Sequence, residues 1–475
     1  MVRHFAASAI RNRRRSVHHS AKKRQDRLQR DDHKFVWHPF TQMEEWVQEP
    51  PIIIEHGDGR YLVDIEGNRY YDGVSSIWVN IHGHRTRALD QAIRTQLEKI
   101  AHSTLLGLSN VPSIELAKQL TKIAPLGLQK VFYSDNGSTA MEIAMKLAFQ
   151  YWQQQGRQFR RKKKFLAFDM AYHGDSLGTV SLSGISLFHK TYKPLLFKTF
   201  RADPPYCYRC PMQFRYPSCR LACLHPIEAT LRDNHQDIAA LVIEPMIQSV
   251  GGMITSPPGY LKAIRELCTR YDVLLIADEV ASGFGRTGKM FACDHEDVTP
   301  DLMAISKGLT GGYMPLAATL TTQRIYDGFL GSYDDFKTFF HGHSYTGNPL
   351  GCAVALANLK LFRRTKLLKI LPKKVCTFEL ALRTLKSLAH VGQVRQIGLM
   401  AGIELIQNKQ TKQPYRLEDR IGHRIAMETR EHGLIIRPNG NILILMPPLT
   451  ATHNELKVMV DIVKTAIQSI TRFRR

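Results

Sequence analysis

The chain has 475 residues, of which 44% are apolar and 23% charged. These are ordinary globular proportions, and they exclude a disordered tail protein, a collagen-like fibre and a disulfide-stapled miniprotein. Eight cysteines are too few for a secreted disulfide scaffold, and no apolar run approaches the ~20 residues that a membrane helix needs, so the expectation is a soluble chain in a reducing, cytoplasmic setting. The formal charge of +23 raises the question of nucleic acid.

Much of that charge is local. Residues 1 to 30 carry ten Lys or Arg, including Arg13 to Arg15 and Lys22 to Arg24, against Asp26 alone. Residues 1–32 read as a basic, disordered extension. The alternative is a mitochondrial transit peptide, which would move the protein to that organelle, because the Arg-rich, acid-poor opening lacks the apolar core of a secretory signal. Nonspecific contact with RNA or an anionic surface is open to such a tail, but no nucleic-acid-binding module follows it.

From Phe35 the composition becomes globular. Ile52 to Ile54, Tyr61 to Ile65 and Tyr70 to Tyr71 read as short strands joined by glycine turns at Gly57, Gly59 and Gly67. Apolar runs then alternate with helical periods: Lys130 to Ser134 before a helix from about Ser138, Phe165 to Phe168, Ala239 to Glu244 before a helix near Leu261 to Tyr271, and Val273 to Asp278. This alternation predicts an α/β fold with a mostly parallel sheet and ligands at the carboxyl ends of its strands. Arg201 to Leu224, rich in Pro, Tyr and Cys, reads as an inserted loop. Beyond Asn348, helices at Ala353 to Phe362 and Phe378 to Leu388 precede strand-like Leu399 to Leu405, Leu434 to Arg437 and Ile442 to Met446. The expected division is therefore 33–90 and 348–475 in a smaller α+β domain built from both ends, with 91–347 as the large domain.

Three clusters carry chemistry. Asp135-Asn136-Gly137-Ser138 after an apolar strand is a glycine turn feeding a helix, whose free N–H groups and dipole suit a phosphate; Thr139 and Glu142 have capping-box spacing. Asp278, at the end of the apolar strand, is costly to bury unless something positive meets it. Lys307, in Ser306-Lys307-Gly308, stands in an apolar and glycine-rich setting that favours a neutral, nucleophilic amine. Each cluster alone is equally consistent with a structural cap, a strand-end turn or a surface lysine.

Together, Asp278-Glu279-Val280, Gly283-Phe284-Gly285-Arg286-Thr287-Gly288 and Ser306-Lys307 resemble the signature of class III aminotransferases dependent on pyridoxal 5′-phosphate (PLP), of fold type I. The resemblance spans about Trp37 to Pro448. The run Trp37 to Met43 and His341-Gly342-His343-Ser344-Tyr345 are similar to the biotin-pathway branch, which aminates 8-amino-7-oxononanoate to 7,8-diaminononanoate.

The resemblance implies that Lys307 carries the cofactor and shuttles the proton, and that Asp278 holds the pyridine nitrogen protonated. It also implies phosphate contacts from Gly137 and Ser138, with Ser344 arriving from the second subunit of a homodimer, His343 among the cofactor contacts, and Tyr172 over the ring. Arg437 would meet a substrate carboxylate, for which a planar guanidinium is suited. Arg286 is a second cationic candidate, and Ile77 and Gly342 would touch substrate. His173 is expected to be a packing residue. A keto acid and an amino donor would occupy the pocket in turn.

Relatives that use S-adenosylmethionine as donor carry Tyr at the position of Phe40 and a Trp pair where this chain has Ile77-Trp78. Loss of a hydroxyl and an aromatic face weakens the grip on a sulfonium cation and leans the donor toward lysine. Another ω-amino-acid or diamine aminotransferase, and a basic nucleic-acid binder on an inactive aminotransferase fold, are the rival readings. Cys207, Cys210, Cys219 and Cys223 lie within 17 residues; zinc and free thiols are the two readings of that spacing, and free thiols, with no metal, are the expectation.

Overall fold

The computed structural model describes residues 22–472. The expected disordered extension is corrected over its last part: residues 22–35 form a helix. It is tied down from both ends, because Arg24 meets Glu55 at 2.6 Å and Asp32 accepts from Trp46 Nε1 at 2.7 Å and contacts His38 Nε2 at 3.0 Å. The preceding basic residues, and with them the targeting and RNA expectations, lie outside the described residues.

A seven-stranded sheet forms the centre. In chain order its strands are β1 (Leu128–Ser134), β2 (Lys164–Phe168), β3 (Phe200–Ala202), β4 (Ile238–Ile243), β5 (Leu274–Asp278), β6 (Leu302–Ile305) and β7 (Ala317–Thr322). Their spatial order is β1-β7-β6-β5-β4-β2-β3. Only β7 runs against its neighbours, so the other six strands end on one edge of the sheet. Every residue of β4 and of β5 is buried, as expected of parallel strands covered on both faces. Helix α1 (Gly137–Gln154) lies across one face and buries Met141, Ile143, Leu147 and Trp152 against β4 to β6.

Two expectations about strands need correction. The segment read as a pure insert supplies the edge strand β3 from its first residues, before Pro204 and Pro205 stop pairing. Leu434 to Arg437, read as one strand, is divided between two sheets. Leu434–Ile435 runs parallel to Arg69–Asp72, while Arg437–Asn439 pairs antiparallel with Ile442–Leu445. The first pairing joins the opening strands Ile54–Asp58, Tyr61–Asp64 and Arg69–Asp72 to the far end of the chain. The second sets Arg437 on a sheet with Met400–Asn408 and Val391–Ile397. Among the described residues, no helix is long and apolar enough to cross a membrane.

Ile276 lies at the centre of β5 and is fully buried. Ile276→Ala leaves a cavity in the middle of the sheet, and chemical denaturation is expected to show a loss of about 2–5 kcal/mol. A loss below about 1 kcal/mol would mean that this sheet is not the core.

Candidate active site

The carboxyl ends of the parallel strands bring the expected residues together. Beyond β1, the N-cap of α1 is Asn136, whose side chain accepts from Thr139 N at 3.1 Å while Thr139 Oγ1 accepts from Asn136 N. The capping box is thus Asn136 with Thr139, not Thr139 with Glu142, because the helix begins at Gly137 and makes Thr139 its third residue. Glu142 instead accepts from Ser176 Oγ at 2.6 Å and Thr179 N at 3.2 Å. Among the described residues no acceptor takes the N–H groups of Gly137 and Ser138. Ser138 Oγ accepts from Asp175 N at 3.0 Å. A Cβ on Gly174, where φ is +126°, would lie 1.8 Å from that Oγ, so the loop beyond β2 can approach the helix only with glycine there.

Asp278 closes β5 and is 6% exposed. Its Oδ1 accepts from Val280 N at 3.1 Å, and its Oδ2 lies 2.7 Å from His173 Nδ1. His173, expected to be mere packing, is therefore the partner of the buried carboxylate. Nothing in its sequence context signals this, since the contact spans 105 positions. Tyr172 beside it is half-buried, donates to Asp175 at 2.6 Å and gives its backbone N–H to Glu244 at 3.1 Å. Burial, then the Asp175 carboxylate, raises its phenol well above the usual range. Glu244 follows β4; burial pushes it up to about 7 against the opposing pull of His173.

Lys307 follows β6 with φ of +46°, a left-handed conformation that a non-glycine residue adopts at a cost. The turn is held by Asn358, whose amide donates to Gly308 O at 2.8 Å and Leu309 O at 2.9 Å. Asn358 Oδ1 in turn meets His82 Nε2 at 2.8 Å. Burial lowers His82 to about 4, so the ring is neutral and Nε2 must carry the hydrogen. The Lys307 amine lies 4.6 Å from the centre of the Trp78 ring. Burial draws that amine below its usual range, and the carboxyls of Asp278 and Glu244 draw it only part of the way back.

Trp78 is reached through four successive left-handed residues, Ser75 to Trp78, with φ between +49° and +71°. For β-branched Ile77 such a conformation is a genuine outlier. Two groups hold the turn. Asp72 accepts from Ser76 N at 2.7 Å, Ser76 Oγ at 2.8 Å and His84 Nε2 at 3.0 Å. Arg286, 1% exposed, donates to Asn80 O at 2.8 Å, Pro447 O at 2.9 Å, and Trp78 O and Ser75 Oγ at 3.3 Å. The expectation that Arg286 binds substrate is corrected: both terminal nitrogens are already engaged by the backbone around the turn. Ile77 remains 45% exposed on the turn's outer side.

Arg437 is exposed and makes no ion pair among the described residues, and its charge reaches Tyr172. Its strand is joined to the loop after β4 by a hydrogen bond from the Asn439 amide to Val250 O. Two residues on, Gly252 O accepts from Arg395 at 2.7 Å. Arg395 and Arg209 each lie 2.6 Å from Glu404, which Tyr206 also contacts, so the cysteine segment braces this side of the site. Its four thiols are unpaired and line one cavity of about 20 Å³. No group of three or more metal ligands is assembled among the described residues. His343 lies 2.9 Å from Asp135 of the same chain, whereas Gly342 and Ser344 are exposed, and Ser344 makes no hydrogen bond among the described residues.

A buried acid at one strand end, a left-handed lysine at the next and open amides at a helix N-terminus define a PLP-dependent transferase of fold type I. The Aminotransferase class-III family matches residues 42–467. An adenosylmethionine-8-amino-7-oxononanoate aminotransferase of Geobacter sulfurreducens is 52% identical and covers 93% of this chain and 97% of its own. The crystal structure of the enzyme of that name from Methanocaldococcus jannaschii superposes with a TM-score of 0.89 at 44% identity, covering 94% of this chain and 99% of that one. An omega transaminase from Pseudomonas jessenii, in complex with PMP, has a TM-score of 0.90 at 30% identity over 94% of this chain and 98% of its own. The chain belongs to the class III aminotransferases.

The residues fit the cofactor of that family. The unspent amides of Gly137 and Ser138 and the Ser138 hydroxyl would hold the phosphate, Asp278 the ring nitrogen and Lys307 the aldehyde carbon. When bound, PLP supplies an electron sink for a substrate carbon that loses its proton. Lys307, its amine drawn below the usual range by burial, would be the group to move that proton.

Glu279 is fully buried, accepts from Ser282 Oγ at 2.5 Å and Cys293 N at 2.8 Å, and is pushed up to about 7 by burial. An acid raised in the fold costs stability as pH climbs past its unfolded value toward its folded one. Glu279→Gln is therefore expected to melt above wild type near pH ~8, with the difference closing toward pH ~5; a constant difference across that range would contradict this account.

Proposed function

We propose that the protein transfers an amino group to 8-amino-7-oxononanoate, giving 7,8-diaminononanoate for biotin synthesis, with donor and acceptor using one pocket in turn. The observation that carries this reading is Arg437, an exposed guanidinium free of any ion pair among the described residues, on a strand anchored to the loop after β4 and with its charge acting on Tyr172. Such a group pairs with the far carboxylate of a long keto acid while the reacting carbon reaches Lys307. The names of the relatives at 52% identity point the same way and give adenosylmethionine as donor. Lysine is the second reading, favoured by Phe40 and Ile77, which present neither a hydroxyl nor an indole to a sulfonium.

The working unit is proposed to be a homodimer in the cytoplasm. Leu106, Leu108, Val111 and Phe340 are each more than 60% exposed, large apolar side chains that a second copy would cover. The phosphate held at Gly137 and Ser138 would then be met by Ser344 from that copy. All eight cysteines are unpaired, in keeping with a reducing setting.

Purified protein given PLP and 8-amino-7-oxononanoate, with adenosylmethionine and lysine supplied separately, is expected to form the diamine with one of them. Product from neither donor, together with turnover of other ω-amino acids, would overturn the substrate assignment. Lys307→Ala should give no turnover. Arg437→Met should raise KM for the keto acid about 10- to 100-fold, the worth of one charged hydrogen-bonded pair, and leave PLP binding unchanged.

A further inference from the structure

The His173 side chain is fully buried against Asp278, and a second buried acid, Glu244, lies within reach of its charge. Its backbone N–H donates to Ser183 Oγ at 2.9 Å, and Ser183 donates to Thr179 O at 2.8 Å, so the loop after β2 fixes where the ring stands. With Asp278 as a carboxylate, which can only accept, the 2.7 Å contact places the hydrogen on His173 Nδ1. The other ring nitrogen, Nε2, is buried with no hydrogen-bond partner. A buried polar atom left unpaired costs about 1–3 kcal/mol, so the placement is one that packing alone would not favour. Both Oδ atoms of Asp278 are held, one by Val280 N and one by His173, which leaves the carboxylate a single orientation.

We propose that His173 is a positioning residue that acts through Asp278, fixing its carboxylate and so the hold of the cofactor's ring nitrogen on its proton. The inference rests on the functional reading above only in requiring PLP in this site. His173 touches neither of the atoms that would react. Its contribution must therefore vanish when the cofactor has no ring nitrogen for Asp278 to meet.

The test compares wild type, His173→Phe and His173→Asn, each loaded with PLP or with the PLP analogue whose ring nitrogen is replaced by carbon. Asn keeps a donor near the place of Nδ1 and serves as the rescue variant, and as the informative one should Phe fail to fold. The readouts are the cofactor dissociation constant by absorbance and the half-reaction rate with a single amine. With PLP, His173→Phe is expected to weaken binding at least about 10-fold and slow the half-reaction about 10- to 100-fold, and Asn to recover most of both. With the carbon analogue, all three proteins should agree within about twofold. The same loss with both cofactors would show a purely structural role and overturn the proposal, as would Asn and Phe being equally impaired with PLP. Failure of wild type to bind PLP at all would instead overturn the functional reading, and this inference with it.

Discussion

The site depends on one costly placement: the Asp278 carboxylate at the end of an entirely buried strand, 6% exposed and beside a second buried acid, Glu244. Removing an ion from water costs several kcal/mol even after relaxation. The chain meets part of that cost with the Val280 amide and His173. The remainder falls to whatever cation occupies the pocket, and a protonated pyridine ring is the natural complement. The same field acts on Lys307, so acid and amine are set by one environment. Burial lowers the amine, and the two carboxyls limit how far it falls.

Around this pair the backbone is bent into conformations that it does not adopt freely. Lys307 is left-handed, and so are the four residues that bring Trp78 to its amine. Such residues persist only where the surroundings over-determine them. Here they do: Asn358 grips the carbonyls of the lysine turn, while Arg286 and Asp72 grip the Ser75 to Trp78 turn. Arg286 is thus better understood as the clasp of the pocket wall than as a ligand for substrate. On the opposite side, the cysteine segment reaches the site indirectly, through Tyr206 and Arg209 to Glu404 and Arg395, and from there to the loop that meets the Arg437 strand.

The legible part of this arrangement was the part encoded locally. Asp278 and Lys307 follow apolar runs that can only be buried strands, and Gly137 follows a strand and opens a helix, so each announces itself within ten residues. What escaped is what the fold brings from afar. His173 to Asp278 spans 105 positions and Arg286 to Asn80 spans 206, and no periodicity records such pairings. The antiparallel β7 is buried like its neighbours, so its direction is invisible until its partners β1 and β6 are known. The helix over 22–35 was hidden by charge, because its packing relies on Asp32 and Arg24 rather than on an apolar face. Leu434 to Arg437 looked like one strand because the switch between two sheets at Ile436 leaves the apolar run unbroken.

Everything in this site turns on whether Lys307 bonds to PLP under the influence of Asp278. Protein saturated with PLP, reduced with borohydride and digested, should yield one phosphopyridoxyl-modified peptide, with the label on Lys307, and Asp278→Asn should weaken the cofactor's retention before reduction. Label on another lysine, or none on a protein that stays colourless after saturation, would contradict it.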